Sequence, residues 1–146
     1  MTFIDKSKPM GFKYEKQHAG ISNCPPHAYR AVERVSFRFV ANDPPLPDDF
    51  LPVALRPDHE PLDRDVRRCQ SLGLSLFASE KAGREKFNYL RKKAPLIHKK
   101  VGTMIATGTI TPKDGLTSDI ERHGHFTLHE FATASLHASF KIIGTL

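Results

Sequence analysis

The chain has 146 residues, 39% of them hydrophobic and 26% charged, with 22 Lys or Arg against 16 Asp or Glu and a formal net charge of +6. That length suits one domain with a real core, and the composition excludes a disordered chain. No run approaches the roughly 20 apolar residues needed to span a bilayer, and the first residues lack the apolar stretch of a secretory leader, so the expectation is a cytoplasmic protein with no membrane partner.

Residues 1–28 are polar and end in a Cys24-Pro25-Pro26 step, which reads as an N-terminal arm closed by a rigid turn. Residues 29–146 then form a single domain. The two cysteines, Cys24 and Cys69, are too few for a metal knuckle. They can pair, but a cytoplasmic chain usually keeps such thiols reduced. From Arg34 to Val40, polar Arg34, Ser36 and Arg38 alternate with apolar Val35, Phe37 and Phe39, the period of a half-buried strand. Residues 42–62 carry six of the eleven prolines, which excludes a long helix or a central strand there. They predict an irregular loop pinned to the core by Phe50, Leu51, Val53 and Leu55.

A short helix is expected over 63–70 and a buried strand over 72–78. Ser79 is placed to cap a helix from Glu80 to about Lys93, stopped by Pro95. On that helix Ala82, Phe87, Leu90 and Ala94 share one arc, and Lys81, Arg84, Arg91 and Lys92 share the opposite one. Val101–Ile110 is rich in β-branched residues and predicts a strand, with a turn at Lys113-Asp114-Gly115. Thr127-Leu128-His129-Glu130 fits a capping box, and Leu128, Phe131, Leu136 and Phe140 then fall on one helical face, so a helix is expected from 128 to 140. Residues 141–146 close the chain as a strand. The pattern predicts an α+β fold, a mainly antiparallel sheet packed by two or three helices.

The densest functional signal is the segment 81–100, where eight Lys or Arg residues stand with one acid, Glu85. A positive face made of Lys81, Arg84, Arg91, Lys92, Lys93, Lys99 and Lys100 suits nucleic acid or an acidic protein surface, and Tyr89 is placed to stack on a base. The bland alternative is the solvated face of an amphipathic helix. A second signal is the group His123, His125, His129 and His137. If the helix began one turn earlier, His125 and His129 would share its face and, with His137 or Glu130, would offer ligands to zinc or a similar ion. His125-Phe126-Thr127 also matches the His-x-Thr unit of two-histidine phosphoesterases, although those enzymes need two such units and the chain has one.

The segment Ser71-Leu72-Gly73-Leu74-Ser75-Leu76-Phe77-Ala78-Ser79, followed by a helix with Ala82, resembles the serine-strand motif of ADP-ribosyltransferases. The resemblance covers about a third of the chain. It implies an NAD-using enzyme, such as a bacterial toxin or defence effector. Arg30 would hold the NAD phosphates, Ser75 would order the site, and Glu130 would be the catalytic glutamate, which that family carries on a strand. The sequence departs from the family at Leu74, where threonine or serine is common, and in lacking the usual Glu-x-Glu or Gln-x-Glu.

Overall fold

The computed structural model describes residues 11–146, so the first ten residues of the expected arm lie outside the described residues. Six strands form one antiparallel sheet: β1 (Arg34–Val40), β2 (Leu74–Phe77), β3 (Met104–Ile110), β4 (Gly115–Thr117), β5 (His125–Glu130) and β6 (Lys141–Thr145), in the order β4-β5-β2-β1-β3-β6. Among the described residues four α-helices accompany it: α1 (Glu15–Ala19), α2 (Asp65–Ser71), α3 (Glu80–Lys93) and α4 (His98–Val101). This is the small α+β fold that the pattern predicts. No helix among the described residues is long and apolar enough to cross a membrane.

Strand alternation sorts the sheet into two unlike faces. Leu74, Leu76, Phe126 and Leu128 point to one face, where Val40, Ile110, Leu136 and Phe140 complete the main core. The proline-rich loop contributes Phe50 to this core, packed against the Phe140 ring at 5.2 Å. Two tight helical turns, Pro47–Phe50 and Val53–Leu55, give that loop local order. Of its expected pins, Phe50 is buried, Leu51 and Leu55 are half-buried, and Val53 is exposed.

On the other face lie Phe37, Phe39, Ser75, Phe77, His125, Thr127 and His129. α3 covers part of it. Its N-cap Ser79 accepts a hydrogen bond from Ala82 N at 3.0 Å, and its Phe87 packs on Phe39 at 5.6 Å. α1 and α2 cover another part. There Cys24 and Cys69 form a disulfide beside Ile21 and Leu72, so the expected pair of free thiols is corrected. The folded part of the arm is thereby tied to the domain, and Phe12 bridges Phe131 at the sheet end.

One further expectation is overturned, the helix over 128–140. Residues 125–130 are strand β5, and only a short turn at Leu136–Ala138 is helical. Thr127 and Glu130 therefore form no capping box. Thr127 pairs with Ser75, and Glu130 pairs with Gly115. The buried set survives the change, because Leu128, Phe131, Leu136 and Phe140 are all buried. Strand β1 keeps its expected bounds and alternation, and its polar side faces inward: Ser36, Arg38 and Val40 are buried, while Val35 is 55% exposed and Phe37 and Phe39 are half-buried.

Candidate functional site

The β1–β2 pairing is short. Phe37 opposes Phe77, and beyond that register the two strands make no further ladder pairs. Arg38 fills the opening. Its Nε donates to the Asp49 carbonyl at 2.8 Å, and its Nη1 donates to the Ser75 carbonyl at 2.9 Å. Burial, and then nearby Arg56, lower its pKa to about 10 against the opposing pull of Glu130, Asp49 and Tyr14. It stays charged at neutral pH and is held by backbone acceptors, which offset part of the cost of burying a cation.

Beside Arg38 a cleft of about 390 Å³ opens between α2, α3 and the loop around 51–56. That size is within the ordinary range of small-molecule sites. Four cationic side chains border it: Arg38, Arg56, Arg67 and Lys86. No aspartate or glutamate does so among the described residues. Phe39 and Phe77 supply apolar wall, and Ser75, Thr127 and His125 form its sheet side. Gly73 keeps this wall open to close packing, since a Cβ there would stand 2.3 Å from Thr127 Cγ2.

The expected outer cationic face is more neutralised than its composition suggests. Lys81 lies 3.8 Å from Glu85, Arg84 Nε donates to Glu80 at 2.8 Å, and Lys100 lies 3.6 Å from Asp58. Arg84 Nη1 also donates to the Thr145 carbonyl at 2.7 Å, so it ties α3 to β6. Arg91 donates to Asn88. Lys99 and Lys100 border a second cleft, of about 270 Å³, together with Asp48, Asp49 and Asp58. Lys92 and Lys93 are exposed, and the ammonium groups of Lys86 and Lys93 sit over the Tyr89 ring at 5.1 and 4.8 Å, which crowds the face expected to take a base.

The three residues of the ADP-ribosyltransferase resemblance are distributed as follows. Ser75 is exposed on β2 and borders the cleft. Glu130 is on strand β5, but its register places it with Phe126 and Leu128, on the sheet face opposite Ser75. Its Oε2 accepts from Lys13 Nζ at 2.9 Å, and its Oε1 is buried without a partner among the described residues. Burial raises the Glu130 pKa, with Lys13 opposing that shift. Arg30 is exposed and pairs its backbone with Thr117 at the outer edge of β4. It is three strand spacings, roughly 14 Å, from Ser75. Neither Arg30 nor Glu130 borders the cleft.

The histidines are also redistributed. On a strand, His125 and His129 lie about 13 Å apart along the chain direction, so they do not converge as the helical spacing implied. His137 is near Ser135, in the turn region after β5. His129 instead meets His18, with Nδ1 3.3 Å from His18 Nε2, and its Nε2 is 3.9 Å from Cys69 Sγ. His18, Cys24 and His129 offer ligand atoms within 4.8 Å of one another, but the Cys24 sulfur is committed to the disulfide. Burial, and then the His18 ring, push the His129 pKa down to about 3, so this pair is neutral and structural at ordinary pH.

The sequence reading missed Arg38, Arg56, Arg67 and Lys86 as a group, because they come from four separate segments. It also did not pair Glu121 with His125, whose Nδ1 lies 3.4 Å from Glu121 Oε2 across the turn before β5. Comparison with known proteins finds no matching family model, no similar curated protein and no similar solved structure.

Proposed function

We propose that the protein binds a phosphate-bearing ligand of nucleotide size in the cleft between α2 and α3. One observation carries this reading: among the described residues, four cationic side chains and no acid border a cavity of about 390 Å³. A phosphate there gains charge-assisted hydrogen bonds and fork-like contacts from guanidinium groups. The half-buried Phe39 ring adds an apolar surface beside the cations, which suits a base or nicotinamide ring. NAD, the cofactor implied by the ADP-ribosyltransferase resemblance, belongs to this ligand class. Ser75 is the residue of that resemblance that meets the cleft.

Calorimetric titration with ADP and with NAD tests the reading. Binding is expected to weaken as salt rises. Arg67→Ala and Lys86→Ala should each weaken it by roughly 10-fold or more, the loss of one charge-assisted contact. Arg91→Ala with Lys92→Ala, on the outer arc of α3, should leave it unchanged. If the outer-arc double variant instead loses binding to RNA, DNA or an acidic polypeptide while the cleft variants retain it, the partner is macromolecular and the outer face is the site. No heat with either nucleotide at low salt sinks the cleft reading.

A further inference from the structure

Ser75 Oγ lies 2.5 Å from His125 Nε2, and the other ring nitrogen, Nδ1, lies 3.4 Å from Glu121 Oε2. A hydroxyl, an imidazole and a carboxylate are thus arranged in the order that activates a serine nucleophile. The backbone sets this arrangement. Ser75 pairs with Thr127 and Phe77 with His125, so Ser75 and His125 are diagonal neighbours on one sheet face. Glu121 is folded back onto the start of β5 by a tight turn. Its N donates to the His125 carbonyl at 2.7 Å, and its carbonyl accepts from Gly124 N at 2.9 Å. Gly124 has φ +83°, and a Cβ there would stand 2.6 Å from Ala82 Cβ, so the turn needs glycine for both conformation and space. The buried Arg38 guanidinium, on the core side of the sheet, donates to the Ser75 carbonyl and so fixes the strand that carries the hydroxyl.

We propose that Ser75, His125 and Glu121 form a nucleophile, base and orienting carboxylate that cleave a phosphate ester held in the cationic cleft. This rests on the phosphate-binding reading above. Ser75 Oγ attacks phosphorus while its proton passes to His125 Nε2. The ester P–O bond breaks, and the departing oxygen takes the proton from the imidazolium. Water then attacks the phosphoserine phosphorus and gives a proton to His125, the P–Oγ bond breaks, and Oγ takes that proton back. One ester and one water enter, an alcohol and a phosphate leave, and nothing is oxidised or reduced. Arg56, Arg67 and Lys86, which border the cleft, stabilise the negative charge on the phosphoryl oxygens. Ser75 and His125 are catalytic residues. Glu121 is a positioning residue that acts through His125 by holding the ring and fixing the Nδ1–H tautomer.

A fluorophosphonate probe tests the triad, because it adds its phosphonyl group to an activated serine with loss of fluoride. The wild-type chain should gain the adduct mass on the peptide that contains Ser75, and ADP should slow labelling in proportion to its occupancy of the cleft. Ser75→Ala should bind ADP and stay unlabelled. His125→Ala should be labelled about 100-fold more slowly, the usual contribution of a positioned base. Glu121→Gln should lower the maximal labelling rate about 10-fold without changing the probe's half-saturating concentration, a split that a general loss of folding would not give. A wild-type protein that binds ADP but takes no label on Ser75 overturns the triad and leaves the binding site standing. Labelling that ADP does not slow overturns the phosphate ester as its substrate. His125→Ala labelled at the wild-type rate overturns the base, and the pair is then a cross-strand hydrogen bond.

Discussion

The two faces of the β2–β5 ladder differ more than any other pair of surfaces in the molecule. Leu74, Leu76, Phe126 and Leu128 point one way and are buried to 1% exposure or less. Ser75, Thr127 and His125 point the other way, toward a cleft bordered by cations. Period-2 alternation places a closed core and an open polar site on the same ten residues of chain. The lesson is that stability and chemistry here are separable by side-chain parity. Substitutions at Leu74, Leu76, Phe126 and Leu128 should destabilise the chain strongly, and those at Ser75 and His125 should not.

The largest test of that separation is Phe126→Ala, which empties the centre of the core. It should cost about 3–5 kcal/mol in urea denaturation. A loss under 1 kcal/mol would show that this face is not the packed one. Next is the lobe that covers the far end of the polar face. Cys69→Ser opens a crosslink that spans 45 residues and should cost about 2–4 kcal/mol, read as a fall in melting temperature against the oxidised wild type. An unchanged melting temperature under oxidising conditions would mean that the lobe is held by packing alone.

Acid should expose the same lobe. The folded pKa of His129 is pushed down to about 3, against an ordinary value of 6.5, so the native state keeps it neutral. Its contribution is complete above about pH 6.5 and is lost as pH falls toward 3, at about 1.4 kcal/mol for each pH unit. The pKa of His18 is lowered in the same direction by burial. Glu130 works oppositely. Its pKa is raised by burial, so its contribution is present at low pH and is lost as pH rises through its folded value. His129→Phe should therefore flatten the stability profile between about pH 6 and 4, measured by denaturation midpoints. A profile as steep as wild type would place the acid sensitivity elsewhere. The smallest expected effect sharpens the contrast most. Ser75→Ala should change stability by less than about 0.5 kcal/mol, as expected for an exposed side chain outside the core.

Much of the fold was legible because local signals and tertiary partners agreed. β-branched residues marked β3, and the Ser79 cap with its amphipathic arc marked α3 with the right ends. β5 was misread although His125-Phe126-Thr127-Leu128-His129-Glu130 alternates strictly. The capping-box pattern and a helical apolar spacing over 128–140 competed with that alternation, and pairing with both β2 and β4 decided it. β1 shows a subtler limit. Its alternation was visible, yet the sequence could not say which set pointed inward. Arg38 is buried because Asp49 and Ser75, distant in the chain, present carbonyl oxygens to its guanidinium.

The site follows the same division. By itself the sequence determined an α+β chain, a basic balance concentrated over 81–100, and Ser75 on a strand beside a helix. Tertiary structure alone decided that Lys100 would meet Asp58, and that Arg38, Arg56, Arg67 and Lys86 would border one cleft. It also brought Ser75, His125 and Glu121 into line. The physical reason is that composition and period record each residue's own preference, whereas a site is a convergence of segments set by sheet order and register, which no local signal carries.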